Sequence, residues 1–553
     1  MLTGYQIFLE IKDMPATYEH FRTRLRLEQS RCLRWGEKVG LVEELLNEPS
    51  KVLQMNHNLV LDILHQIQRA FRSCLKTNTK FDHPNPAKAV DSPAKFSFLQ
   101  KTLAVREKIG QVAIRLEWAM IRKDGVEQLI EQLVQYNDRI ESLLDRNTLE
   151  DLRALQAQSN LALLQMTEEV SQLRVLVQAL QIQSPTGKST LSLSRSSTLL
   201  ESEVADQTII ALAQFKAQHP TLLKDAGDTK KWPASRILLD ELSFEADGYD
   251  SGRQLGKLGD KHVWLEWQDL DLDSASRTMY FEALESRIAD LAGLLADPEK
   301  PPEFSSPSCL GYAVEEDRQQ PKLALIFARA AETKDGYPEP VSLREMIRRQ
   351  ISVSLNARFE LARTLAASVL YLHAVNWLHK GIRSDNVLFQ PAEDRSIKMY
   401  EPVLTGYEHA RPALPGEFSL PNNSSAAHDL YRHPDLLSPS PARTMKTHDI
   451  YSLGLVLAEI ALWRPIEDVV GVEARKSKAR HVRFKMLDPS SHVFSLIAES
   501  AGWTFADVIR ACIVGGPALG IKAGANEEDP EVGAELCSNM HQKILRPLQG
   551  LKV

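Results

Sequence analysis

Tyr371–Phe389 reads YLHAVNWLHKGIRSDNVLF, and this stretch decides the fold of the C-terminal part. A helical pattern over 354–375 closes in Tyr371-Leu372-His373. A short polar loop from His379 to Asn386 follows, and Val387-Leu388-Phe389 reads as a strand. Working outward, strand-like runs occur at 236–239, 262–267, 323–327 and 397–400. Helical patterns occupy 276–296, 342–348, 447–463 and 492–499. A strand-rich segment followed by a helix-rich one predicts a two-lobed α+β domain over 232–550.

Upstream the texture is helical, with patterns at 15–47, 55–79, 97–122, 126–146 and 148–183. Leu129, Leu133, Tyr136, Ile140 and Leu144 form one apolar stripe, the signature of a helical bundle over 1–183. Residues 184–231 read as a Ser/Thr-rich linker and a connecting helix at 200–218. Gly187-Lys188-Ser189-Thr190 lies in that linker, but Ile182 stands where a phosphate loop needs its first glycine and no strand precedes it.

The chain has 553 residues, 43% apolar and 25% charged, with a net charge of −7. That mix excludes wholesale disorder and argues against a dedicated nucleic-acid binder. Five scattered cysteines without a Cys-x-x-Cys pair point to a reducing compartment and away from zinc or disulfide frameworks. No apolar run is long enough for a transmembrane helix, so a cytoplasmic protein is expected. Between 22 and 38, six basic residues, Arg22, Arg24, Arg26, Arg31, Arg34 and Lys38, face two acids, Glu28 and Glu37. This is either a solvated helix face or a contact surface for anionic lipid or an acidic partner, with Arg22, Arg24 and Arg26 as its candidates.

The 371–389 stretch resembles the catalytic loop of protein kinases, His-Arg-Asp followed by four residues and Asn. His379 and Asn386 take the His and Asn positions, while Gly381 stands where the catalytic Asp belongs. A kinase needs a carboxylate there to orient the substrate hydroxyl and accept its proton. Gly406-Tyr407-Glu408 aligns with Asp-Phe-Gly, so the metal-binding Asp is missing. Gln268, on the strand KHVWLEWQDL, takes the place of the nucleotide-clamping Lys. GRQLGKLGD at 252–260 lacks the phase of a glycine-rich loop. The scaffold is nonetheless legible: Tyr431–Asp435, with Pro434, resembles the Ala-Pro-Glu segment, and His448–Gly454 resembles the helix whose Asp, here Asp449, supports the catalytic loop. The resemblance implies a pseudokinase without catalytic residues or cofactor. His379, in that fold, supports the loop backbone, and His428, His433 and His448 show no metal spacing.

RLRLEQSRCLRWGEKVGL at 24–41 resembles the HeLo domain of fungal heterokaryon-incompatibility and regulated-cell-death proteins, with Leu27, Arg34, Trp35, Gly36 and Gly40 in the motif positions. The resemblance implies a helical bundle that self-associates and acts at membranes, recruited from the cytoplasm to the plasma membrane. In that family an apolar N-terminal helix enters the bilayer. The apolar run here ends at Ile11, and about eleven helical residues span roughly 16 Å, half the hydrocarbon thickness. Either the start lies within that helix or the element is lost.

The leading expectation is a non-catalytic signalling protein of regulated cell death, with a HeLo effector governed by a pseudokinase switch or scaffold and with protein partners. The first alternative is an atypical active kinase that binds ATP through Asn386 with Asp385 or Glu408. The second is a purely structural helical scaffold.

Overall fold

The computed structural model describes residues 5, 8–9, 15–39, 51–78, 123–144, 146–167, 169–181, 197–218, 235–244, 253–269, 277–298, 300–315, 322–329, 340–391, 397–413, 426–438, 443–473, 478–522 and 524–551. They fall into two compact units: Met1–Ala157 with Ser171–Ile210, and Gln158–Val170 with Ala211–Val553. The helix expected over 97–122 and the bulk of the linker lie outside the described residues.

The first unit is helical: α1 (Glu19–Lys38), α2 (Lys51–Asn78), α3 (Lys123–Glu141), the first half of α4 (Arg146–Met166), α5 (Val170–Gln181) and the first part of α6 (Ser197–Ala217). Helices α1 and α2 each pack on α3. The core joins Phe21, Leu25 and Trp35 of α1 to Ile67 and Phe71 of α2 and to Leu129, Ile130 and Leu133 of α3. Tyr5 stands edge-on to Phe71 at 4.8 Å. The buried stripe of α1 runs Phe21, Leu25, Glu28, Cys32, Trp35, the i, i+4, i+7 spacing of one helix face. Glu28 therefore occupies a core position. It is held by Arg24 at 2.6 Å, by Arg31 at 3.2 Å and by the Asn137 amide at 2.7 Å. Arg31 in turn pairs with Asp138 at 2.7 Å and Glu141 at 2.8 Å. Burial alone would raise the Glu28 pKa, but the two guanidinium groups and the Asn137 bond hold it below the usual carboxylate value.

The second unit opens with a five-stranded antiparallel sheet in the order β1-β2-β3-β5-β4: β1 (Leu242–Phe244), β2 (Arg253–Leu258), β3 (Lys261–Asp269), β4 (Cys309–Glu315) and β5 (Lys322–Ala328). Helix α7 (Arg277–Ala296) connects β3 to β4 and packs on β4. Val263 and Leu265 of β3 join Ala313, Ala324 and Ile326 in the core on one face of the sheet. By alternation Trp264, Glu266 and Gln268 take the other face. The helical remainder runs from β6 (Val341–Ser342) through α8 (Leu343–Arg348) and α9 (Leu355–Ala374), each N-capped by a serine, Ser342 or Ser354. Next come β7 (Trp377–Leu378), β8 (Val387–Pro391), β9 (Ile397–Leu404), β10 (Arg411–Pro412) and α10 (Ala426–Asp429). Helix α11 (Lys446–Leu462) is buried on nearly every side, packed between α9 and a later helix. The chain closes with α12 (Ile466–Val470), α13 (Ala479–Leu487), α14 (Val493–Ala501), α15 (Trp503–Val514), α16 (Pro530–Met540) and α17 (Arg546–Gln549). All five cysteines are buried and form no disulfide. Among the described residues no helix is long and apolar enough to cross a membrane.

Several expectations need correction. Residues 236–239 form no strand; Arg236 makes one bridge to Tyr312, and the strand begins at Leu242. Glycine-bearing 253–258 is a strand, paired with β3 through a tight turn. The pattern over 148–183 is two helices rather than one. The buried Lys216 amine donates to the carbonyls of Leu164 at 2.8 Å and Gln165 at 3.0 Å, which satisfies the end of α4 at the break. The expected boundaries at 183 and 232 also shift, because Gln158–Val170 and Ala211 onward pack with the second unit. There the Gln165 amide donates to Asn376 Oδ1, which also accepts from Lys446 at 3.1 Å.

Candidate functional site

Helix α9 ends where Val375 and Asn376 turn the chain, and the loop His379–Asn386 follows β7. Asp449, in the first turn of α11, organises that loop. Its carboxylate accepts from the backbone N–H of His379 at 2.7 Å and of Lys380 at 2.9 Å, and sits 3.3 Å from His373 Nε2. Burial opposes its ionisation, yet these bonds hold its pKa below the ordinary carboxylate value. The buried His379 ring accepts from Gly381 N–H at 3.1 Å and packs on Tyr407 with centroids 4.5 Å apart.

The centre of the site is a closed polar network. Asn386 Nδ2 donates to the Gly381 carbonyl at 2.7 Å. Its Oδ1 accepts from the Arg253 guanidinium at 2.7 Å, and the same guanidinium donates to Thr405 Oγ1 at 2.7 Å. Arg253 Nε donates to Glu266 at 3.1 Å, and the other oxygen of Glu266 accepts from Gly406 N–H at 2.9 Å. Arg253, Glu266, Asn386 and Thr405 are all buried. Thus β2 and β3 are tied to the loop and to the end of β9 by groups whose polar atoms are mutually engaged.

Two glycines fit this closure. A Cβ on Gly381 would lie 2.6 Å from the Gly406 carbonyl oxygen. Gly406 has φ +88°, and a Cβ there would lie 1.9 Å from Asn386 Nδ2. Both positions lack a side chain because the loop and the β9 end are in direct contact.

The residues expected at the reacting positions are arranged as follows. Asp385 lies 3.8 Å from Arg344, turned toward α8 rather than toward the loop centre. Gln268 Nε2 approaches His409 Nδ1 at 3.4 Å, and from β3 it is Glu266, not Gln268, that reaches the Gly406 segment. Pro434 opens a single 3-10 turn, Pro434–Leu437. Contrary to their spacing, His433, Asp435 and His448 come within 4.8 Å of one another. His448 Nδ1, however, accepts from Met445 N–H at 3.1 Å, which leaves the proton on Nε2 and removes its metal-binding lone pair.

Burial pushes His379, His428, His433 and His541 down to about 4, while burial pushes Glu459 up to about 7. Each histidine folds in its neutral form, so its contribution is complete above the unfolded value of about 6.5 and is lost as the pH falls toward 4. Glu459 works in the opposite direction between about 7 and 4.5, and cancels one of the four. The urea midpoint of the C-terminal unit should therefore fall between pH 7 and pH 5, with a slope of at least about 1.4 kcal/mol per pH unit. A flat profile would contradict this assignment of neutral histidines.

In the helical unit Trp35 and Gly36 are buried in the core, Leu27 and Arg34 are half-buried, and Gly40 lies outside the described residues. Arg24 is corrected as a contact candidate: it is buried against Glu28, whereas Arg26 is exposed and Arg22 half-buried. Residues 1–176 match the HeLo family model, described as prion-inhibition and propagation. No curated protein matches the chain.

Proposed function

We propose that the chain is a non-catalytic signalling protein of regulated cell death, in which a HeLo effector region is joined to a protein-kinase-like unit that has lost its nucleotide site. The HeLo match over residues 1–176 supports the effector half. The kinase-like reading is supported by the strand order β1-β2-β3-β5-β4 with a helix between β3 and β4, and by Asp449 bonded to the loop backbone. Self-association through the bundle, protein partners and recruitment from the cytoplasm to a membrane belong to the same proposal.

The observation that carries the non-catalytic reading is the Arg253–Glu266 pair inside the site. A kinase presents a lysine, two carboxamide or carboxylate metal ligands and a base to magnesium-ATP. Here Asn386 is engaged on both ends, both Glu266 oxygens are occupied, and Gly381 and Gly406 have no room for a carboxylate. These residues do not fit the nucleotide or its metal.

The test is ligand-linked stability. A site filled at one hundred times its Kd would add about 2.7 kcal/mol to the native state. Millimolar magnesium-ATP is expected to leave the melting temperature of the full chain unchanged and to give no labelled product. A clear rise in Tm with nucleotide would favour the active-kinase alternative and overturn this reading.

A further inference from the structure

We propose that the outward face of α13 is a docking surface for anionic lipid bilayers. Between 474 and 487 the sequence ARKSKARHVRFKML carries six Lys or Arg and no Asp or Glu, in a chain whose net charge is −7. Helix α13 sorts these residues by phase. Ala479, Val482 and Met486 form its buried stripe. Arg480, Phe484 and Leu487 share the opposite face at i, i+4, i+7, with His481 and Lys485 beside them, and all five are exposed. Phe484 is 66% exposed.

Lys478, Arg480 and Lys485 form no ion pair among the described residues, although Asp488 lies near enough to feel Lys485. Arg483 is half-buried beside His433 and Tyr451 and takes no part in the surface. Helices α12, α14 and α15 pack against α13; α14 carries exposed Leu496, and α15 begins with Trp503, 64% exposed.

Unpaired cations alone would suit any polyanion. Cations flanking an exposed Phe and Leu on one helix face, with an exposed Trp on a neighbouring helix, suit a surface that offers negative headgroups above an apolar layer. The basic run of α1 is a poorer candidate, because Arg24 and Arg31 are consumed by the Glu28 network.

The experiment is sedimentation of the full chain with vesicles of phosphatidylcholine alone and of phosphatidylcholine with 30% phosphatidylserine, at two salt concentrations. Binding is expected only to the phosphatidylserine vesicles and should weaken with salt. Arg480→Glu/Lys485→Glu should lower partition about a hundredfold, and Phe484→Ser about tenfold, with the melting temperature unchanged because all three side chains are exposed. Arg22→Glu/Arg26→Glu should retain the phosphatidylserine preference. The inference is overturned if the wild type ignores phosphatidylserine vesicles, or if the α13 variants bind as it does. It is also overturned if the same residues govern binding to polyglutamate while vesicles are ignored, which would assign the face to an acidic protein. None of these outcomes depends on whether the neighbouring site binds nucleotide.

Discussion

Gly406→Asp, which would place a carboxylate at the end of β9, is expected to destabilise the C-terminal unit strongly. Three costs act together. The backbone at 406 has φ +88°, a conformation that costs a side-chain-bearing residue about 1–2 kcal/mol. The new Cβ would meet Asn386 Nδ2 at 1.9 Å, so Asn386 must swing away, at the 1–3 kcal/mol typical of overpacking. That movement breaks the Asn386 bonds to the Gly381 carbonyl and to Arg253, about 1 kcal/mol each. A loss of roughly 4–7 kcal/mol follows, a large share of the usual 5–15 kcal/mol. Gly381→Asp should be milder, because 381 has an ordinary backbone and its Cβ meets one carbonyl oxygen at 2.6 Å. Urea unfolding of the two variants checks the order. A Gly406→Asp protein with wild-type stability that bound magnesium-ATP would show the site to be open.

Much of this arrangement can be read from the sequence, and what cannot has a physical cause. The helix–loop–strand at 371–389 is legible because its hydrophobic period changes from 3.6 to 2 across a polar loop, and Asp449 follows from its setting in His448–Gly454. The plug at the centre is hidden because its partners are far apart: Arg253 sits in the glycine-bearing run GRQLGKLGD, and Glu266 in the apolar run VWLEW. Yet Glu266 left a signal. A carboxylate on the inward phase of a buried strand must have a cation or donors, and no cation stands beside it in sequence. Glu28 left the same signal in the stripe Phe21, Leu25, Cys32, Trp35, and its cation is Arg24, which a count of charges without helical phase assigns to solvent. Gly381 and Gly406 read as losses of chemistry; in the fold they are also requirements of packing. Glu266 and Gln268 share a face of β3: Glu266 accepts the Gly406 N–H, and Gln268 lies against His409.

Arg253→Met tests whether the plug holds the site closed. It removes the cation bonded to Glu266 among the described residues, and a buried carboxylate left without its partner typically costs about 3–5 kcal/mol. It also strips Asn386 Oδ1 and Thr405 Oγ1 of a donor. Adding Glu266→Gln should recover part of the loss, since the neutral amide keeps an acceptor for Gly406 N–H without a buried charge. The double-mutant cycle over Arg253 and Glu266 is therefore expected to give a coupling of about 2 kcal/mol, within the range for residues in one buried network. Urea unfolding of the wild type, both single variants and the double variant measures it. Strict additivity would mean that the two side chains act separately, and that β2 and β3 are fixed to the loop by apolar packing instead. On the kinase-like reading proposed above, a coupling of the expected size would place the stabilising interaction where an active kinase holds its nucleotide phosphates and metal. Such a unit would gain from a permanently satisfied internal ion pair what an active enzyme gains only while its substrate is bound.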